Sequence, residues 1–279
     1  MRLGLDISQY QLTWDELLAR AQLAEDAGFD GAWVFDHFEP LYGEPTGPCL
    51  EGWTLLAALA AATTRIRLGA LVTGVTYRHP SVLAAEAVTV DHVSNGRLEL
   101  GMGAAWHNGE HGALGIPYPS TRERIDRLEE ALQVMRLLMT DDGVSFGGRY
   151  YQLDDATYRP RPVQQPHPPI WVGANGLRRT IPLAGKYADV WHGFGDPGRH
   201  EEGAAVLNEA AERAGRDPAT ILRATNLSLS HPWDEVRRRA AALADVGVGY
   251  LVISWPSEGR GHLEEFIEQV MPEVAALGS

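Results

Sequence analysis

The chain has almost no cysteine and almost no lysine. Cys49 is its one cysteine, so no internal disulfide can form and no CxxC metal or redox pair exists. Lys186 is its one lysine. It falls at the end of a helical segment just before a strand, the wrong place for a Schiff-base lysine on a barrel strand. No apolar stretch reaches the roughly 18 residues of a membrane span. Met1-Arg2-Leu3-Gly4-Leu5-Asp6 lacks the apolar core of a secretion signal. Together these absences point to the cytoplasm, where thiols stay reduced. No GxGxxG opens the first helix and no HExxH occurs, so the open dinucleotide-binding sheet and the zinc-protease motif both lose support. Positive charge is scarce: 24 Lys and Arg against 37 Asp and Glu leave a net charge of −13. Such a chain is a poor general partner for nucleic acid or anionic membrane. A few arginines at helix N-termini can still make a local anion site.

What is present is a large apolar fraction in an ordered alternation. The 279 residues are 44% apolar, enough to bury the core of one barrel of about 250 residues. Strands are expected at Leu3–Ile7, Ala32–Phe35, Ile66–Thr73, Leu98–Gly101, Ile170–Val172, Asp189–His192, Ile221–Leu229 and Tyr250–Ile253. Helices alternate with them. Thr13 with Glu16, and Ser120 with Glu123, read as capping boxes. Ile125, Leu128, Leu132, Met135 and Met139 then recur every three or four residues, the strongest helical pattern in the chain. Residues 141–169 break the rhythm with a hairpin and a proline-rich connector. The expected fold is therefore α/β, one (β/α)8 TIM barrel over residues 1–279 with an insertion between strands four and five.

A closed parallel barrel collects function at the C-terminal ends of its strands. There the chain gathers Tyr10, Asp36, His37, Thr73, Met102, Gly103, Ala104, Trp106, His107, Trp191, His192 and Trp255. Aromatics with a few polar groups at one mouth suit a large, flat, partly apolar ligand. The run Gly173-Ala174-Asn175-Gly176 leads into a helix start carrying Arg178, Arg179 and Thr180. Close backbone approach, helix dipole and guanidinium can make a phosphate site there, or the run is a plain strand-to-helix turn with solvated arginines. A metal site is not expected. Asp6-Ile7-Ser8 stands where barrel hydrolases carry His-x-His, and Gly109 and Gly112 argue against a stable helix aligning His107 with His111.

Several stretches together resemble the luciferase-like monooxygenase superfamily, and within it the F420-dependent oxidoreductases. They are Ala27-Gly28-Phe29-Asp30 with Asp36-His37-Phe38, Thr64 to Gly69 with Tyr77-Arg78-His79-Pro80, Ser94 to Gly103, Gly115-Ile116-Pro117, Arg161-Pro162-Val163-Gln164, and Tyr187-Ala188-Asp189. The resemblance implies a barrel, coenzyme F420 as cofactor with FMN as the alternative, and commonly a homodimer. It implies a non-proline cis peptide at Leu71-Val72 behind the cofactor rings. It further implies cofactor contacts from Asp36, Leu71, Val72, Thr73, Met102, Gly103, Ala104, His107, Gly173, Ala174, Asn175, Gly176 and Arg178. His37 matches a catalytic base of the sugar-phosphate dehydrogenase branch. Leu41 and Trp106 stand where that branch has an assisting tryptophan and glutamate, so His107, Asn108 or Glu110 is left to complete the proton chemistry. His37, then His107, are the candidate acid/base groups. Tyr10, Trp106, Trp191 and Trp255 are the candidate walls for a small apolar substrate. Three activities stay open: hydride transfer with F420, monooxygenation with FMN and dioxygen, and cofactor binding without turnover.

Overall fold

A computed structural model describes residues 1–278. The chain alternates strand and helix. The strands are β1 (Arg2–Asp6), β2 (Gly31–Val34), β3 (Arg67–Ala70), β4 (Thr73–Gly74), β5 (Leu98–Gly103), β6 (Val144–Gly147), β7 (Gln152–Ala156), β8 (Ile170–Gly173), β9 (Val190–His192), β10 (Leu222–Leu227) and β11 (Tyr250–Ser254). The helices are α1 (Trp14–Asp26), α2 (Gly52–Ala62), α3 (Pro80–Val93), α4 (Asn108–Leu114), α5 (Thr121–Thr140), α6 (Thr180–Tyr187), α7 (Pro197–Arg213), α8 (Trp233–Asp245), α9 (Arg260–Gln269) and α10 (Met271–Ala275).

All strands but β6 and β7 join in parallel, in the order β3-β2-β1-β11-β10-β9-β8-β5-β4, and β3 also pairs with β5. That last pairing closes the barrel. The expected single third strand is split: β3 stops at Ala70, the Leu71–Val72 peptide is cis, and β4 resumes beside Met102 and Gly103. Both β3 and β4 hold the edge of β5, so eight strand positions result. The β6–β7 hairpin is a separate antiparallel pair outside the barrel.

The barrel interior is plugged by aromatics. Trp33 and Trp171 lie 4.3 Å apart, and Trp171 meets Tyr250 edge-on at 5.0 Å. Val190, Ala224 and Val252 fill the remainder. Glycines make the room: a Cβ on Gly4 would sit 2.4 Å from Trp33 Nε1, and one on Gly69 2.5 Å from its ring. Trp33 Nε1 donates to the Tyr250 hydroxyl and Trp171 Nε1 to Glu99, so the buried ring N–H groups are satisfied. The larger apolar cluster lies between the barrel and its helices.

Two sequence motifs turn out to be architecture. In Ser94 to Gly103, the buried Arg97 guanidinium donates to the carbonyls of Ala60, Thr63, Ile66 and Ser94 and to the Thr63 hydroxyl. It thereby covers the unpaired C-terminal carbonyls of α2. In the connector, Gln164 donates from its backbone N–H and its side-chain amide to the buried Asp91 carboxylate and accepts from Arg67. This ties the proline-rich segment under the barrel.

The Thr13–Glu16 capping box is present in full. The Ser120–Glu123 pair is only half of one: the Ser120 hydroxyl accepts the Glu123 N–H, but the Glu123 carboxylate turns to Arg127 instead. A guanidinium four residues on offers a charge-assisted bond that the backbone N–H cannot match. The helix α4 corrects the expectation that Gly109 and Gly112 would keep that stretch irregular. His107 caps its start by accepting the Glu110 N–H, and Gly115 ends it at φ 69°. Tertiary bonds to buried Glu110 and His111 then outweigh weak propensity. Among the described residues, no helix is long and apolar enough to cross a membrane.

Candidate active site

A cavity of about 800 Å³ opens at the C-terminal end of the barrel. Its lining has three parts. An apolar wall comes from Leu71, Val72, Gly103, Ala104, Gly173 and Ala174. A polar floor comes from Asp6, His192, Asn226 and Ser254, which sit on the adjacent strands β1, β9, β10 and β11. The mouth carries His37, Leu41, Tyr42, Tyr77, Trp106, Asn175, Thr180, Phe194 and Trp255.

The wall is flat because glycine permits it. A Cβ on Gly103 would lie 2.6 Å from Val72 Cγ2, and one on Gly173 would lie 3.0 Å from the same methyl. Val72 therefore packs flush against both strand ends, with no side chain between. His192, Asn226 and Ser254 face inward because each lies two residues beyond Val190, Ala224 or Val252 of the barrel interior on the same strand. Burial pulls the His192 imidazole down to about 4, against a weaker opposing hydrogen bond with Asn226 at 2.8 Å. Burial pushes the Asp6 carboxyl up to about 6, although the Ser8 hydroxyl and N–H both donate to it.

The acid/base candidates meet at one side of the mouth. His37, at the end of β2, donates from Nδ1 to Glu110 Oε2 at 2.7 Å. The Glu110 side chain is wholly buried and accepts as well from the Phe38 N–H and, at 2.7 Å, from the Tyr77 hydroxyl. Burial alone would raise this carboxyl, but those three donors outweigh it and hold it at about 2. Glu110 is thus a permanent anion behind His37. It fixes the Nδ1–H tautomer and leaves Nε2 as the nitrogen for proton exchange. Positioning comes from α4: His111 donates Nδ1–H to the His107 carbonyl, hydrogen-bonds the Thr76 hydroxyl through Nε2 at 2.7 Å, and stacks on Tyr77 at 4.7 Å. Trp106, placed where the related branch has a glutamate, meets the His37 ring edge-on at 5.7 Å.

Asp36 lies fully buried next to His37. Arg78 Nη1 donates to both its oxygens at 2.7 and 2.9 Å, and the Gly74 N–H donates at 3.2 Å. Arg78 is in turn paired with Glu51 and Glu86. This ion cluster locks the end of β2 to β4.

Several expected site residues lie elsewhere. Met102 sits between Gly101 and Gly103 on β5 and turns outward into the helix layer. Trp191 does the same between Val190 and His192, packing against Gly203 of α7 and donating to the Ala174 carbonyl. The two-residue strand period decides both cases. Thr73 is buried as the acceptor of the Trp53 ring N–H at 3.0 Å. Tyr10 stacks on Phe35, which itself lines the cavity, at 5.4 Å. His107 stays outside the lining: its Nδ1 caps α4 and lies 3.3 Å from Glu39. The Gly176 N–H is taken by the Thr180 hydroxyl, and Arg179 pairs with Asp126, so neither is a free anion donor. Arg178 is exposed beside α6. Asp6, Asn226 and Ser254 line the cavity without having been singled out as site residues, and Thr180, expected at the helix start, lines it too.

His37, His107 and Glu110 do bring ligand atoms within 4.8 Å of one another. The hydrogen bonds just described occupy the Nδ1 atoms of both histidines, and the group is better satisfied as a proton network than as a cation site.

The residues fit a flat ring system. A planar apolar wall faces the cavity, polar side chains reach its far edge, and α6 begins without a side-chain cap near Thr180 and Asn175. The Arg179 and Ile181 N–H groups bond to the Gly176 carbonyl and Pro182 has none, so at this helix start a phosphate could meet the Thr180 N–H. Comparisons with known proteins agree. The chain is 33% identical to the F420-dependent hydroxymycolic acid dehydrogenase of Mycobacterium tuberculosis over 241 residues, 86% of this chain and 66% of that protein. It is 35% identical to the F420-dependent glucose-6-phosphate dehydrogenase of Kineococcus radiotolerans over 84% of this chain and 69% of that protein. The chain thus spans about two thirds of the length of these relatives. An F420-dependent secondary alcohol dehydrogenase solved with an F420-acetone adduct shares the fold, with TM-score 0.88 at 22% identity over 98% of both chains. The luciferase-like monooxygenase family model matches residues 1–273, and the chain belongs to that family.

Proposed function

We propose that the protein is an oxidoreductase that uses coenzyme F420 for hydride transfer to or from an uncharged, apolar organic substrate. The observation that carries this reading is the His37–Glu110 pair at the mouth of a cavity walled by Leu71, Val72, Gly103 and Gly173. The relatives named for F420 support the choice of cofactor over FMN. The wall residues would hold the rings, with the phosphate end near Asn175, Thr180 and Arg178. When bound, F420 supplies a ring carbon that accepts or gives up a hydride.

The chain's own part is proton handling and orientation. In alcohol oxidation, His37 Nε2 takes the hydroxyl proton while the carbinol carbon loses its hydride, and the reverse step returns the proton to the carbonyl oxygen. Glu110 stabilises the imidazolium that forms. Asp36, held by Arg78, fixes the end of β2 and with it the His37 backbone. Leu41, Trp106, Phe194 and Trp255 give the mouth an apolar lining.

His37→Ala is the direct test. Turnover falls by about 10² or more, the usual weight of a general acid/base, while F420 binding survives. Undiminished turnover would remove His37 from the chemistry.

A further inference from the structure

We propose that Asp6 is a specificity residue of the cavity: its free carboxylate oxygen accepts a hydrogen bond from an acidic N–H or O–H on the edge of the bound ring system farthest from the phosphate. This rests on the preceding reading of the cavity as a deazaflavin site.

The Ser8 N–H and hydroxyl both donate to Asp6 Oδ1. Among the described residues no protein group donates to Oδ2, although Asp6 is buried and lines the cavity. A buried carboxylate ordinarily meets a donor or a cation at each oxygen. No lysine or arginine lines this cavity. Arg20 on α1 attracts Asp6 from outside the lining, but it donates to the Ile7 carbonyl at 3.2 Å and stacks on Trp255 at 3.8 Å. Asp36, the other carboxylate in the lining, is saturated by Arg78 and the Gly74 N–H. Asp6 is thus the one anionic acceptor of the lining with an oxygen to spare, and an acidic donor makes the strongest bond to it.

Its neighbours on the floor are open as well. Ser254 is the direct partner of Asp6 between β1 and β11. On β10 the Asn226 oxygen bonds His192 Nε2 at 2.8 Å. The Asn226 NH₂ and the Ser254 hydroxyl have no protein partner among the described residues, so both can meet carbonyls beside such a donor.

Strand order sets which part of the ligand Asp6 meets. In the closed barrel β1 lies four strand positions from β8 in either direction. The phosphate end belongs to Asn175 and Thr180, just beyond β8, so Asp6 stands across the barrel from it. The ring offers two acidic donors: an imide N–H, which F420 and FMN share, and a phenol O–H, which F420 alone carries.

Titration makes the bond visible. Burial holds the Asp6 carboxyl up at about 6, so the accepting anion is lost below that pH. The other titratable groups around it are Arg20 from α1, Tyr10 beyond β1, which burial keeps neutral, His37 at the end of β2, and His192 on β9, neutral above about 4; β11 brings Ser254 and Trp255.

Fluorescence titration of the full chain with F420 and with FMN, for wild type and Asp6→Asn between about pH 5 and pH 7.5, reads out the bond. In the variant Ser8 still donates to the side-chain oxygen, and the NH₂ group turns toward the ligand's donor. The variant should bind F420 ~10-fold or more weakly at pH 7.5, and that ratio should shrink toward 1 at pH 5, where wild-type Asp6 is mostly protonated. Titration of the ligand or of any other group enters both proteins alike. A loss of the same size for FMN assigns the imide N–H as the donor; a loss for F420 alone assigns the phenol O–H. Without ligand, the unfolding midpoint of Asp6→Asn should rise above wild type as pH climbs from about 4 to 6, because the raised carboxyl costs wild type stability there. A ratio independent of pH, undiminished F420 binding by Asp6→Asn, or absence of that rise would overturn the proposal. Wild type that binds no F420 at any pH sinks the cofactor reading instead.

Discussion

Replacing Glu110 with glutamine keeps the shape of the side chain and removes its charge, and the structure says how much that should matter. The wild-type carboxylate accepts from His37, Phe38 N–H and the Tyr77 hydroxyl. A glutamine offers one acceptor oxygen and turns an NH₂ group toward the remaining donors, leaving at least one buried polar group unpaired at a cost of about 1–3 kcal/mol. Linkage gives a similar figure. The carboxyl sits at about 2 against an ordinary 4.5, worth on the order of 3 kcal/mol of stability. Because the folded value is depressed, that stability is complete above pH 4.5 and is lost as pH falls toward 2. Thermal unfolding of Glu110→Gln at pH 7 should therefore show a melting point lower by roughly 6–12 °C, at about 2–4 °C per kcal/mol for a chain of this size. The gap to wild type should narrow steadily between pH 4.5 and pH 2. The same variant should lose about 10² in turnover, because the imidazolium at His37 loses its counter-charge. A melting-point gap independent of pH, or full activity, would refute the account of Glu110 as a buried anion serving His37.

Two other substitutions separate site from scaffold. Gly103→Ala places a methyl 2.6 Å from Val72 Cγ2, and a β-branched residue cannot swing away freely. F420 affinity should fall by ~10-fold or more, about 1.4 kcal/mol, and adding Val72→Ala should restore part of it in a fluorescence titration. Arg97→Met removes five hydrogen bonds around the end of α2. Urea unfolding should show a loss of ~3–5 kcal/mol while the folded fraction keeps its F420 affinity.

The barrel was legible in the sequence because strand and helix alternate with clear apolar periods and strong stops. β5 and β8 begin at Leu98 and Ile170, the starts expected of them. What the sequence concealed follows from period and from tertiary compensation. Asp6 reads as part of an apolar strand, yet its place on the inward face of β1 puts it on the cavity floor. A polar residue inside such a strand was the available signal. Trp191 and Met102 looked like mouth residues by position, but each falls on the outward beat of its strand. Glycines at 109 and 112 hid α4, whose stability lies in contacts far along the chain rather than in its own propensity. Of the three residues the sequence offered to complete the proton chemistry, His107, Asn108 and Glu110, it is Glu110 that hydrogen-bonds His37. Glu110 reaches it from α4, four residues beyond Trp106, a geometry visible only once that helix is formed.

All of this chemistry requires that the cavity beside Val72 and Gly103 accept a deazaflavin. Fluorescence titration of the purified chain with F420 and, in parallel, with FMN tests it most directly. F420 binding should be saturable and at least ~10-fold tighter than FMN binding, a difference of about 1.4 kcal/mol. Micromolar FMN binding with no response to F420 would contradict it.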